Sequence, residues 1–450
     1  MTEKAMNTNI NTLSQTVTRA VIASLVLAAS SSAMAANNSN THLKDAKDVP
    51  NVSKAFNDGN VGVSFKGRME AVTDKSQLTV SGGRPSAEAY TLKTDLRYNT
   101  AFWQDAALAL EFIDVGSYFD RRHNQGQGLS SQASNRPVIA DPKGDSLNQA
   151  YFVFKGVPDT VITAGRQHLT LDNGRIIGTE SFNQTPTSFD AVTVTNNSYK
   201  DWNLFYAFVD RFNTTYKGSS ALTGKDNKHQ SHLFNVTWSA LPMGDLTGFA
   251  YLMEDRTTKA NSADVYGLSF NGNQDVNEYK MLYNATYARQ DAEHNNPQSY
   301  IVNYAAVGAG VEMAALGAVS KPQLMVDYQV FGSDPSKGVA FQTPYAAAHY
   351  LNGFANKFST TPANGLKDLA VSVNGSWEDV ALTAAYHHFS AEDRGSLSVK
   401  GYGEEWDLGA TKTFRDRYSV GIEYADFNAK AGSIYANSNK LWLTAGAKFM

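Results

Sequence analysis

The sequence predicts an all-β chain, one closed antiparallel barrel of about eighteen strands that crosses a membrane. Three observations carry this. Apolar and polar residues alternate strictly along many segments, which is the pattern of a strand with one oily and one wet face. Short and long connections alternate between those segments, as tight periplasmic turns and longer external loops do in outer-membrane barrels. Beyond the first 35 residues no run of 18 apolar residues occurs, so no helix is expected to span a bilayer.

The N-terminus reads as an export signal. "MTEKAMNTNINTLSQTVTRA" is polar and carries Lys4 and Arg19; "VIASLVLAASSSAMA" then turns apolar and ends in Ala33-Met34-Ala35. A basic leader, a short apolar core and an Ala-x-Ala site describe a cleaved signal peptide, and the apolar run falls short of the ~20 residues of a membrane anchor. Residues 1–35 are therefore expected to be removed. Residues 36–59 are expected to form a periplasmic segment and 60–450 the barrel.

The barrel pattern starts at once, with Val61, Val63, Phe65 and Met69 opposing Ser64, Lys66, Arg68 and Glu70. "QLMVDYQV" sets Leu324, Val326, Tyr328 and Val330 against Gln323, Asp327 and Gln329, and "SVGIEY" sets Val420, Ile422 and Tyr424 against Ser419, Gly421 and Glu423. The final strand, "KLWLTAGAKF", places Leu441, Leu443, Ala445, Ala447 and Phe449 on one face. Strands are expected near 60–74, 88–101, 106–119, 147–157, 159–169, 187–197, 201–212, 230–240, 245–256, 263–271, 277–290, 299–311, 322–331, 367–376, 379–389, 402–413, 417–427 and 439–449.

Tight turns fall at "WQDA", "GVPD", "YKDW", "LPMGD", "NGNQD", "SKP", "WEDV" and "FRDR". Longer polar pieces lie at 120–146, 170–186, 213–229, 257–262, 291–298, 332–366, 390–401 and 428–438. A β-sandwich does not sort its turns by length in this way, and no propeller repeat is visible. Aromatic residues gather at segment ends, as in "NTAFW" and "DWNLFYAF", where interfacial girdles of a membrane barrel belong. With no cysteine, 18% charged residues and a net charge of −4, the chain offers no disulfide framework, no thiolate metal site and no basic face for nucleic acid.

Two blocks resemble a known family. "GRQHLTLDNGRIIGTESFNQTPTSFDAVTV" with "YAFVDRFN" after it, and "FQTPYAAAHYLNGFANKFSTTPANGLKDLAVSV", are similar to the alginate-export-domain family of Gram-negative outer-membrane porins. The resemblance implies an eighteen-stranded passive channel, in some members for an anionic polysaccharide. Arg166 and Arg175 match the family pattern, whereas His168 and Asn183 stand where it is richer in arginine. That favours a porin for small hydrophilic solutes, anionic or saccharide, over an exporter of an anionic exopolysaccharide such as alginate.

Strand parity assigns the bore. Lys66, Arg68, Lys93, Arg97 and Lys155 are expected inward with Glu70, Asp95 and Glu111, facing Glu405, Asp407 and Glu423 across the barrel. Opposed rings of charge set a transverse field that selects by charge. Arg68, Arg97, Arg166 and Arg175, with Lys66, Lys93, Glu405 and Asp407, are the candidate selectivity residues. Guanidinium forks suit carboxylate and phosphate groups.

The connection 332–366, roughly 35 residues, exceeds the ~12–15 beyond which an unstructured loop is usually functional or disordered. It carries Phe341, Tyr345, Tyr350, Phe354 and Phe358, which need cover. A short helix over 345–358, folded over or into the bore, is expected to supply it and narrow the pore; the alternative is an external cap or partner-binding loop.

Enzyme chemistry finds no support. There is no Gly-x-Ser-x-Gly elbow, and the turn at "DNG" breaks the parity that would align His168, Thr170 and Asp172. Adjacent His387 and His388 point to opposite faces and cannot share a metal. No catalytic residue, metal or cofactor is expected. The expected location is the bacterial outer membrane, with lipid, lipopolysaccharide, the periplasmic barrel-assembly machinery and small solutes as partners.

Overall fold

The computed structural model describes residues 48–79, 82–126, 135–216 and 226–449, so the expected signal peptide at 1–35 lies outside the described residues. Eighteen strands form the wall: β1 (Asn60–Asp74), β2 (Ser86–Asn99), β3 (Ala106–Arg122), β4 (Gly144–Phe154), β5 (Thr160–Gln167), β6 (Ser188–Asn196), β7 (Trp202–Asn213), β8 (Asp226–Trp238) and β9 (Asp245–Met253) make one half. The other half is β10 (Ala263–Val276), β11 (Tyr279–Asp291), β12 (Ile301–Met313), β13 (Val319–Phe331), β14 (Leu366–Trp377), β15 (Val380–Ser390), β16 (Gly401–Phe414), β17 (Tyr418–Ala429) and β18 (Ser438–Phe449). Each pairs antiparallel with its sequence neighbours. β1 also pairs with β18, from Val63 opposite Phe449 to Asp74 opposite Ser438, and this seam closes the barrel.

Closure follows from the alternation. Arg68, Glu70 and Val72 are buried in the bore while Val61 and Phe65 are exposed outside; on β17, Ala425 and Phe427 are buried and Val420 and Ile422 exposed. Unsatisfied strand edges are untenable in lipid, and a closed ladder leaves none. Outward aromatic residues ring the turn end of the wall: Phe154, Trp202, Tyr279, Trp377, Tyr418 and Phe449 are all exposed. Trp202 and Trp238 stack there at 5.9 Å between centroids.

Two expected turns fall elsewhere. "NGNQD" continues β10, and the reversal comes at Asn277-Glu278, with Asn277 at φ +57°. Gly272 is there for close approach: a Cβ would collide with the Met243 carbonyl and the Tyr283 ring. "SKP" lies within β13, where Pro322 sits at a register shift between Ser320 and Gln323, the kind of site a sheet allows proline. A ninth long connection, 75–85, joins β1 to β2 where no external loop was expected.

Before β1, a short helix α1 (Val52–Asn57) is capped by Asn51, whose side chain accepts from the Lys54 amide at 2.8 Å. It lies along the rim at the β2–β3 turn, since the Val49 amide donates to the Phe102 carbonyl and the Ala101 amide to the Ala55 carbonyl.

Candidate permeation path and its constriction

The half of the bore nearest the short turns is lined by small or polar residues that stay partly accessible, among them Ser64, Arg97, Thr411, Gly421 and Thr444. The other half is filled by loops. Loop 168–187, between β5 and β6, and loop 332–365, between β13 and β14, leave nearly opposite sides of the wall and meet inside it. The Gly178 amide donates to the Tyr345 carbonyl at 2.8 Å and the Ala347 amide to the Gly174 carbonyl at 3.0 Å. Arg175 strengthens the join: it donates to Asn352 Oδ1 at 2.6 Å, to the Leu351 carbonyl at 2.9 Å and to Gln329 Oε1 on β13 at 2.7 Å. A third loop, 123–143, adds Asp141, which accepts from the Gln184 amide at 2.8 Å.

Wall carboxylates hold loop 332–365 by its backbone. Glu405 accepts from the Ala355 amide at 2.7 Å and Asp407 from the Phe354 amide at 3.1 Å, while Asn352 donates to Asp368 at 2.9 Å. Gly353, at φ +80°, permits this turn: a Cβ there would lie 2.5 Å from Glu405 Oε1. Lys357 pairs with Asp74 at 2.7 Å, Tyr350 donates to Glu423 at 3.0 Å, and Tyr345 to Asp255 at 2.9 Å.

Between the loops and the β1–β18 seam stands an aromatic stack. Phe182 and His349 lie face to face at 3.3 Å between centroids, and Trp442 meets both edge-on at 5.5 and 5.4 Å. Arg68 caps the other face of Phe182 at 4.2 Å, a cation–π contact. Asn356 Nδ2 lies 2.8 Å from His349 Nδ1, which fits an imidazole accepting there. Burial, with Arg68, Lys440 and Lys66 nearby, holds this imidazole well below its ordinary value. Burial raises Glu180, whose carboxylate accepts from the His349 and Phe182 amides at 3.0 and 2.8 Å. A cavity of about 20 Å³, room for one water, remains among Asp172, Arg175, Tyr251, Ser269 and Tyr304.

Of the loop aromatics, Phe341, Tyr345, Phe354 and Phe358 are buried inside the bore and Tyr350 is half-buried. The expected helix over 345–358 is absent; the segment is a chain of turns. Gly353 and Asn356, at φ +80° and +55°, break any helix, and the amides a helix would use go to the wall.

The basic residues that parity places inward do lie on the inner face, but they serve different ends. Lys66 and Lys93 face each other in register on β1 and β2, and Lys66 Nζ donates to the Phe182 carbonyl at 3.1 Å. Arg68, 4% exposed, contacts Glu70 at 2.7 Å, Asp141 at 3.4 Å and the Phe182 carbonyl at 2.8 Å, so it braces the inward-folded loops against the wall. Arg97 pairs with Asp95 and Glu111 at 2.8 and 2.6 Å, yet its side chain is 43% exposed to the open half. Arg166 is not in the bore. The buried face of β5 is Thr163 and Gln167, which puts Arg166 outside, in a two-pronged pair with Asp190 at 2.7 and 2.9 Å. Glu405 and Asp407 are wholly buried loop clamps, not free lumen charges. Lys155 sits over the Phe102 ring at the turn end, 4.3 Å from its centroid.

His387 and His388 do point to opposite faces, His387 toward Asp368 at 3.0 Å and His388 toward Glu404 at 3.6 Å. No group of three or more metal-ligating side chains is arranged to hold an ion among the described residues. His168 lies 2.8 Å from Asn148, and Asp172 turns away to Asn235 and Tyr251 at 3.0 and 3.1 Å, so no triad forms around it. Sequence reasoning did not single out Phe182, Glu180, His349 or Asp141; only the aromatic and polar composition of their loops hinted at a folded core.

No family model matches the sequence, and no curated protein matches it. Solved structures do match in fold. Acinetobacter baumannii OccAB4 has a TM-score of 0.67 at 10% identity, over 87% of this chain and 98% of that one. Pseudomonas aeruginosa OccK9 (OpdG) has a TM-score of 0.66 at 12% identity, over 88% and 100%. Pseudomonas aeruginosa OpdK with vanillate has a TM-score of 0.65 at 10% identity, over 88% and 99%. The resemblance to the alginate-export family is thereby corrected: the neighbours are Occ/Opd outer-membrane porins, and the two sequence blocks are the loops that meet in the bore. At these identities the likeness establishes the fold, a closed eighteen-strand antiparallel barrel of outer-membrane type.

Proposed function

We propose that this chain is an outer-membrane channel for passive passage of small hydrophilic solutes, with a preference for small organic anions. The carrying observation is the bridge of loops 168–187 and 332–365, joined backbone to backbone inside a closed barrel. Such a bridge limits passage to solutes of small cross-section. The anion preference is supported by Lys66 and Lys93, side by side in register on the inner wall. The vanillate in the OpdK structure is a solute of that size. Export of the chain rests on cleavage after Ala35 or one residue later, which the intact mass of outer-membrane material reads directly. Its assembly by the periplasmic barrel machinery and its contact with lipopolysaccharide belong to the same reading.

The test is single-channel recording of purified protein in planar bilayers, with small carboxylates, neutral sugars and cationic amines as competing solutes. The reading predicts a small unitary conductance that small carboxylates block more strongly than amines of equal size. No conductance from folded protein, or block ordered the other way, overturns it.

A further inference from the structure

Helix α1 does not sit in the bore. It lies beside the lipid-facing wall at the end that carries the short turns and both ends of the barrel. Its anchor is Tyr98. The alternation on β2 sends Asp95 and Arg97 inward, so Leu96 and Tyr98 point outward. The Phe56 ring stacks on Tyr98 at 6.4 Å between centroids and 19° between planes, and the Tyr98 hydroxyl donates to the Phe56 carbonyl at 2.6 Å. Gly59 permits this approach, because a Cβ there would lie 2.6 Å from the Tyr98 oxygen.

The helix has two faces. Ala55 is buried against the barrel. Val52 and Phe56, one turn apart on one side of the helix, are each 49% exposed, even with the Phe56 ring against Tyr98. On the opposite side Lys54 pairs with Asp58 at 3.0 Å, both well exposed. Large apolar side chains exposed at i and i+4 on a capped turn need cover, and the neighbouring surface is already apolar. Val61, directly across from Tyr98 in the ladder, and Leu96 and Phe65 are exposed on the same outer wall.

The level matches too. Elsewhere around the turn end of the wall an exposed aromatic marks the interface, as Phe154, Trp202, Tyr279, Trp377, Tyr418 and Phe449 do. At the start of β1 the wall itself offers Asn60 and Val61 instead, and Phe56 supplies the ring from outside the strands. Aromatic side chains favour the headgroup level, where a ring meets both oil and water.

We propose that α1 is an interfacial anchor that lies in the periplasmic leaflet, with Val52 and Phe56 inserted among phospholipid chains and Lys54 at the headgroups. The inference rests on reading the barrel as a membrane channel. It continues the lipid-facing band of the strands onto a helix outside them. Its consequence is that lipid fixes the approach of the N-terminal segment to the barrel rim.

The chain has no cysteine, so single-cysteine spin labels report one site each. The protein is labelled at Val52→Cys, Phe56→Cys and Lys54→Cys, with Val61→Cys and Val420→Cys on the strands as controls. Each variant is reconstituted in phosphatidylethanolamine–phosphatidylglycerol vesicles after its heat-resistant migration shows a folded barrel. Power saturation then compares collisions with oxygen, which concentrates in lipid, and with a water-soluble nickel chelate. The ratio of oxygen to nickel collisions is expected to be several-fold higher at positions 52 and 56 than at 54, and to approach that at Val61. Lipid-like controls with water-like labels at 52 and 56 overturn the anchor alone. Water-like controls overturn the membrane reading and the anchor with it. Should Phe56→Cys fail to fold, the label at 52 decides.

Discussion

Arg175 of one bore loop donates to Asn352 Oδ1 of the other at 2.6 Å, and Asn352 in turn donates to Asp368 on the wall at 2.9 Å. This relay ties two loops and one strand into a single obstruction. Charge-assisted buried bonds of this kind contribute about 1.5–3 kcal/mol each. Arg175→Gln is therefore expected to raise the time spent in a wider state by about tenfold or more, from that energy range. The barrel itself should keep its heat-resistant migration. Single-channel records of Arg175→Gln indistinguishable from those of the unaltered protein would dissolve the relay.

Acid should loosen the obstruction through His349. Once released into water the imidazole titrates at its ordinary value of 6.5, while the seated ring is held well below it by burial and by Arg68, Lys440 and Lys66. The seating contribution is thus complete above that value and falls as pH drops below it, by up to about 1.4 kcal/mol per pH unit. Glu180 works in the opposite direction. Burial raises it, so the seated loop holds that proton more readily than the released one. Open probability between about pH 7.5 and about pH 5 should therefore rise on acidification, flatten in His349→Phe and steepen in Glu180→Gln. An identical pH slope in His349→Phe removes the histidine from the account.

Ion selectivity should separate two arginines that the sequence grouped together. Arg97 reaches the open half of the bore and balances Asp95 and Glu111. Arg97→Gln removes the guanidinium that both carboxylates contact and should shift the reversal potential in a salt gradient toward cations. Arg166→Gln acts on the outer face, beside Asp190, and should leave the reversal potential unchanged. A larger shift from Arg166 than from Arg97 would reverse the assignment of faces.

Strand parity itself is testable at one pair of neighbours. Val420 is exposed on the outer wall and Ser419 faces inward. Val420→Arg, two residues from the interfacial Tyr418, should impair assembly by about 1 kcal/mol, because the cost of a cation on lipid falls from ~2–4 kcal/mol at the midplane toward the interfaces, while Ser419→Arg is tolerated. Equal loss of heat-resistant barrel in both variants contradicts the register of β17.

The wall was legible in the sequence because its physics is local. Period-two alternation and turn chemistry are written within a dozen residues, and all eighteen segments recur as strands near their expected places. Misreadings arose where one residue type serves two purposes. Gly272 looked like a turn and instead admits the Tyr283 ring, and Pro322 looked like a turn and marks a bulge. The site was legible only in outline. The aromatic content of loop 332–365 announced that it needs cover, but its partners lie far away in sequence. Arg175 meets Asn352 across 177 positions and Lys357 meets Asp74 across 283. Arg166 obeys parity: the β5–β6 ladder runs without a shift, Thr163 and Gln167 hold its inner face, and Arg166 was grouped with the bore arginines by residue type rather than by face.

If loop 332–365, seated in the bore, sets the width of the path, removing it widens the channel. Replacing residues 339–364 with a short Gly-Ser linker removes the contacts of Tyr345, Asn352, Phe354, Ala355 and Lys357 while leaving the wall ladder intact. Unitary conductance of this variant in a planar bilayer, on protein whose heat-resistant migration shows a folded barrel, is the direct measurement. A clear increase over the unaltered chain is expected. A folded variant with unchanged conductance contradicts it and moves the constriction to loops 123–143 and 168–187.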